Sequence, residues 1–150
     1  MSDGPSIRRV VLGPGPDGVT IVRSDGPAPT VVQLPAVPET TLVDLWRSES
    51  LPLDPTVDED PTAGAFELMP EGSLFRIIDL APTGEGDPMW HQTASVDFIY
   101  IASGQVTCRY DGGEVDLSAG DAIVQQGVRH AWVNSSDQVC RLINVSVAAT

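Results

Sequence analysis

Residues 91–104, HQTASVDFIYIASG, and residues 120–134, GDAIVQQGVRHAWVN, decide the fold of this chain. Each stretch holds one of its only two histidines, His91 and His130. In the first, SVDFIYIA (95–102) alternates apolar and polar residues as a half-buried strand does, and Ser103-Gly104 stops it. In the second, DAIVQ (121–125) and RHAWVN (129–134) read as two short strands parted by the turn at Gly127.

The same rhythm continues on both sides. QVTCRY (105–110), EVDL (114–117) and QVCRLINVSV (138–147) are strands, broken at Asp111-Gly112-Gly113 and Ser118-Ala119-Gly120. Upstream, SLFRIIDL (73–80) is a clear strand and Phe66–Met69 a short one, with a Pro/Gly loop over 81–88. Short strands at even spacing predict an all-β sandwich or barrel. With 14 glycines and 13 prolines in 150 residues, long helices are not expected. Nearer the start, residues 7–12, 19–24 and 30–34 read as strands, and 40–47 (TTLVDLWR) leans to strand on its β-branched residues. Residues 49–65 carry three prolines and the acids Asp54, Asp58, Glu59 and Asp60 without calcium-loop spacing, and read as a solvated loop. The expected organisation is a strand extension over 1–50, an acidic Pro-rich loop over 51–65, and a barrel over 66–150.

Composition narrows the function classes. A net charge of −13 repels phosphate backbones, so no nucleic-acid partner is expected. No apolar run approaches the roughly 20 residues that span a bilayer, and Met1–Pro5 lacks the features of a signal peptide, so no membrane partner and a cytoplasmic location are expected. Cys108 and Cys140 lie in strand segments and read as buried thiols.

The two opening stretches resemble the motifs of the cupin superfamily. In the second, Gly127, His130 and Asn134 keep the family spacing, while the gap after Gly120 is one residue short and Gln125 replaces a proline. In the first, His91 fits the leading histidine, Thr93 stands where a second histidine belongs, Asp97 takes the acid position, and six residues intervene before Gly104. Gly84 and Gly86 flank the position of the family's leading glycine. The resemblance covers roughly residues 72–147. It implies a double-stranded β-helix, or jelly-roll, barrel with extra N-terminal strands, commonly a homodimer.

It also implies a site. Residues i and i+2 of a strand point the same way, so His91 and Thr93 can face one interior, and His130 can reach it from a neighbouring strand. By the resemblance, His91, Asp97 and His130 are candidate catalytic residues and candidate ligands for a divalent metal (Zn, Fe, Mn or Ni), with Thr93 a reduced position in the centre. A metal-free alternative pairs His130 with Asp97 as acid and base while His91 polarises a carbonyl. Thr93, Arg76, Gln126 and Trp132 are candidates for substrate binding. Met89, Trp90 and Trp46 are candidates to cap the pocket or bury an interface, and Asn134 reads as a turn residue. The expected function is proton transfer (cyclisation, dehydration, isomerisation or decarboxylation) on an organic acid or an aromatic, polyketide-like compound. The alternatives are a non-catalytic small-molecule-binding barrel, an Fe-dependent dioxygenase, and a dimer whose barrel is filled by side chains.

Overall fold

The computed structural model describes residues 4–34, 40–84 and 87–150; Gly86 lies outside them. Eleven strands run in order: β1 (Arg8–Pro14), β2 (Thr20–Pro27), β3 (Thr30–Gln33), β4 (Thr41–Ser48), β5 (Ser73–Leu80), β6 (Ser95–Ser103), β7 (Gln105–Tyr110), β8 (Gly113–Ser118), β9 (Ala122–Gln126), β10 (His130–Val133) and β11 (Cys140–Ala148). Among the described residues the only helical turn is a 3-10 turn at Pro61–Ala63, and no helix is long and apolar enough to cross a membrane. A six-stranded sheet, β3-β4-β5-β11-β6-β9, and a three-stranded sheet, β10-β7-β8, form the jelly roll, and β1 pairs with β2 alone. The expected all-β architecture holds.

Two expectations are corrected. β3 and β4 do not stand outside the barrel, because β4 pairs along its length with β5 and extends the large sheet. Residues 66–69 form no strand. The Glu67 and Leu68 carbonyls accept hydrogen bonds from the Arg76 guanidinium, each at 2.9 Å, so these acceptors go to a side chain and not to a ladder.

The inward face of the large sheet changes character along its strands. At one end Leu80, Ile99, Ile101, Cys140 and Leu142 pack against Val106 and Cys108 of β7 and Leu117 of β8, closing the barrel with an apolar plug. One or two inward positions further along, the same strands present Arg76, Asn144, Ser146 and Asp97, all buried. In register these form cross-strand rows: Asp44, Arg76 and Asn144 in one, Ser146, Asp97 and Gln125 in the next. Polar groups on a buried face need partners or a ligand, so the fold itself separates a sealed end from a chemical end. Outside the sheet, Val43, Leu45, Ile77 and Ala28 form a second cluster with Ile7 and Ile143. Arg9 of β1 pins the N-terminal hairpin beside it, through the Leu45 carbonyl and Asp60.

Glycine is required at two turns. Gly104 has φ 81° and a Cβ there would meet the Val139 carbonyl oxygen at 2.7 Å. Gly127, at φ 65°, reverses the chain just before His130.

Candidate active site

His91 belongs to no long strand. It pairs with His130 by one isolated antiparallel bridge, each residue's N–H donating to the other's carbonyl at 3.0 Å. That bridge sets two histidines from distant parts of the chain side by side, with ring centroids 4.2 Å apart at 65°. His91 Nδ1 contacts the Met89 carbonyl at 3.3 Å and His130 Nδ1 contacts that of Val128 at 2.9 Å. A carbonyl only accepts, so both contacts hold a proton on Nδ1. Burial, then the charge of His130, lowers the His91 pKa from 6.5, against smaller opposing effects of the Met89 carbonyl and Asp97. His91 is therefore neutral at pH 7, with a lone pair on Nε2.

A cavity of about 1210 Å³ opens over this centre. His91, Thr93, Asp97, Asn144 and Ser146 supply part of its polar surface, with Arg76, Arg109 and Asp87 also on its border, and Leu42, Leu74, Ile78, Met89, Trp90 and Trp132 form much of its apolar wall. The volume exceeds what a drug-sized ligand commonly occupies, and the mix of apolar wall and a few convergent polar groups is that of a ligand site.

At its floor the side chains form a chain of hydroxyls. Ser95 Oγ donates to Asp97 Oδ1 at 2.8 Å. Thr93 Oγ1 lies 2.7 Å from Ser95 Oγ. Ser95 has one hydroxyl proton and gives it to Asp97, so Thr93 is the donor in that second bond. The alternation in H-x-T-x-S-x-D thus places His91, Thr93, Ser95 and Asp97 along one face. Among the described residues Asp97 has no salt-bridge partner.

The remaining candidates separate. Trp132 shares the face of His130, its ring centroid 5.7 Å away, and lines the cavity as expected. Met89 and Trp90 also line it, with Arg129 stacked 4.4 Å from the Trp90 ring centroid. Trp46 instead lies in the groove under the N-terminal hairpin. His130 is 3% exposed and stands behind His91, not on the cavity wall. Arg76 borders the cavity, but it is buried and already engaged: Asp44 takes Nε and Nη2, and the Leu68 and Glu67 carbonyls take Nη1 and Nη2. Only one of its five N–H groups is left for a substrate. Gln126 is exposed; its neighbour Gln125 points inward and donates to Cys108 Sγ at 3.4 Å. Asn134 is buried and ties its turn through the Leu80 and Gln138 carbonyls, as a turn residue should.

Sequence reasoning missed Ser95, Asn144 and Ser146. The signal was present in QVCRLINVSV, where Cys140, Leu142, Asn144 and Ser146 fall on one strand face and the last two are polar.

The described side chains do not fit a three-ligand metal centre. No three His, Cys, Asp or Glu residues among them stand close enough together to hold a metal ion. Thr93 takes the place of a third imidazole, His130 is buried and does not reach the cavity wall, and Ser95 occupies one Asp97 oxygen.

A family model described as "Cupin domain" matches residues 76–146. Over 84 residues, 55% of this chain and 46% of the relative, the sequence is 37% identical to "Oryzines biosynthesis cluster protein J" of Aspergillus oryzae. Over 70 residues, 46% of this chain and 36% of the relative, it is 39% identical to "Phomopsin biosynthesis cluster protein D" of Diaporthe leptostromiformis. The chain thus spans less than half the length of these curated relatives. The fold resembles that of the Schizosaccharomyces pombe Cnp3 cupin domain, with a TM-score of 0.61 at 8% identity, over 96% of this chain and 89% of that one. With His91 and His130 brought together in a jelly roll and the family model spanning both, residues 76–146 form a cupin domain.

Proposed function

We propose that this cupin processes a small organic molecule by moving a proton within it, with His91 as general base. One observation carries the reading: a neutral imidazole and a carboxylate-terminated hydroxyl chain face the same large, apolar-walled cavity. His91 Nε2 takes a proton from one substrate atom and returns it to another, so no redox partner is needed. Asp97 stabilises the imidazolium formed between the two transfers, since its charge favours protonated His91. His130 orients the His91 backbone through the paired bridge and is a positioning residue. The apolar wall fits an aromatic or polyketide-like body. The relatives named for biosynthesis clusters support small-molecule work of this kind.

The test follows proton exchange at the α-carbon of 2-tetralone, an apolar enolisable ketone, in D2O by NMR. The wild type should accelerate exchange, and His91→Ala should lose about 10²–10⁴-fold, the usual contribution of a positioned general base. Asp97→Asn should lose less, because it acts through charge alone. Wild-type exchange no faster than buffer, with the ketone bound, would leave the chain as a binding barrel and contradict the proposal.

A further inference from the structure

We infer that the polar end of the cavity is built to receive a hydrogen-bond donor, and that its ligand is an amine carried as an ammonium on an apolar body, not an organic acid. This rests on the proposed reading only in taking the cavity as a small-molecule site.

Two of the hydroxyl protons at this end of the cavity are already committed. Ser95 spends its hydroxyl proton on Asp97, and Thr93 spends its own on Ser95. Thr93 Oγ1 therefore offers only lone pairs to the cavity. Asp97 Oδ2 takes no hydrogen bond from the described residues, and a carboxylate is an acceptor only. With its proton held on Nδ1 by the Met89 carbonyl, neutral His91 offers a lone pair at Nε2. Asn144, 7% exposed, gives Nδ2 to Ser146 and keeps Oδ1 without a protein partner. Four side chains at one end of the cavity thus present acceptors, and the hydroxyl chain fixes their direction so that Thr93 cannot turn to donate. Against them stand two donors, the Ser146 hydroxyl, which accepts from Asn144 and keeps its own proton, and the second N–H of Asn144 Nδ2, so acceptors outnumber donors and the one full charge among them is that of Asp97.

Charge points the same way. Asp97 is buried with no cation beside it among the described residues, and burying a charge without a partner is costly. An ammonium would supply that partner and its N–H groups would meet Thr93 and Asp97, while the Trp132 ring lies on the same wall. A carboxylate placed there would face Asp97 across lone pairs. Two cations border the cavity. Arg76 is neutralised by Asp44. Arg109 is engaged through Nε with Glu114 at 3.1 Å and is the one group that could draw a carboxylate.

Titration of the full chain with 3-phenylpropylamine, 3-phenylpropanol and 3-phenylpropionate, followed by tryptophan fluorescence at fixed salt and pH 7.5, separates the alternatives. The amine should bind at least tenfold tighter than the acid, with the alcohol between. Asp97→Asn should weaken the amine about tenfold and leave the alcohol within threefold. If Asp97→Asn fails to fold by circular dichroism, Thr93→Val decides: it should weaken amine and alcohol together and leave the acid unchanged. Acid binding as tight as the amine overturns the inference and assigns the ligand to Arg109. An amine preference that survives Asp97→Asn also overturns it, reducing it to attraction by the overall charge. Binding by none of the three overturns it together with the small-molecule reading, whereas binding without proton exchange in the tetralone assay defeats the proposed chemistry alone.

Discussion

Replacing Asp44 by Ala tests whether Arg76 is a structural cation or a substrate anchor. Both side chains are buried, Asp44 at 2% and Arg76 at 3% exposure. The variant leaves the guanidinium with the Leu68 and Glu67 carbonyls and the Phe66 ring, 4.9 Å away, as its surroundings. Removing one partner of a buried pair costs about 3–5 kcal/mol, and the two surviving carbonyl bonds place this case near the lower figure. For a chain of this size each kcal/mol is worth about 2–4 °C, so Asp44→Ala should lower Tm by about 6–12 °C. Replacing both partners, Asp44→Leu with Arg76→Met, removes the stranded charge and should recover at least half of the loss. The assay is urea unfolding in parallel with the phenylpropylamine titration. The double variant should keep amine affinity within threefold of wild type, because Arg76 has almost no free donor. A loss under about 1 kcal/mol for Asp44→Ala, or lost amine binding in a folded double variant, would refute the assignment of Arg76 to the scaffold.

Other outcomes follow from the same geometry. The folded-state pKa of His91 lies below its ordinary 6.5, so its contribution to stability is full above that pH and is lost as pH falls through the folded value. The stability difference between wild type and His91→Gln should therefore shrink from pH 7.5 to 5.5 in urea unfolding; an unchanged difference would contradict the burial of that ring. Burial raises the Cys140 thiol to about 11 and, more than its Gln125 bond lowers it, raises Cys108. Neither should react with Ellman's reagent at pH 8 in the native protein, and both should react in guanidinium chloride. Burial works to raise the Asp60 carboxyl, but hydrogen bonds from Arg9 and Thr62, with the charge of Arg9, hold it at about 2. The clamp should hold the N-terminal hairpin above the ordinary carboxylate value of 3.8 and release it as pH falls through about 2. Asp60→Asn should raise hydrogen exchange in β1 and β2 at neutral pH while leaving β6 and β11 protected.

Most of the strands were legible because they depend on local pattern. Alternation in SVDFIYIA and the glycines at 104, 120 and 127 mark strand and turn without reference to the rest of the fold. The spacing of His130 and Asn134 from Gly127 led to the superfamily, and the superfamily to the meeting of His91 and His130. What stayed hidden depends on long-range partners. Alternation in SLFRIIDL puts Arg76 on the face of Leu74, Ile78 and Leu80, but its partner Asp44 is 32 residues away on a strand that reads as an appendage. Arg76 also accounts for the missing strand at 66–69, since it takes the Glu67 and Leu68 carbonyls. Gln126 is the sequence's candidate for substrate binding, yet Gln125 is the buried neighbour and Gln126 the exposed one, since one residue along a strand reverses the side chain. The resemblance puts His130 in the cavity beside His91, but the bridge sets the two rings edge to face and leaves His130 buried off the cavity wall.

Because the chain holds only two histidines, ring tautomers can be read without ambiguity from a long-range 15N–1H correlation spectrum of protein labelled with 15N-histidine. At pH 7 His91 should be neutral and protonated on Nδ1, and phenylpropylamine should shift its Nε2 far more than either nitrogen of His130. An imidazolium or an Nε2–H tautomer at His91, or a larger shift at His130, would contradict the claim that His91 Nε2 is the base facing the cavity.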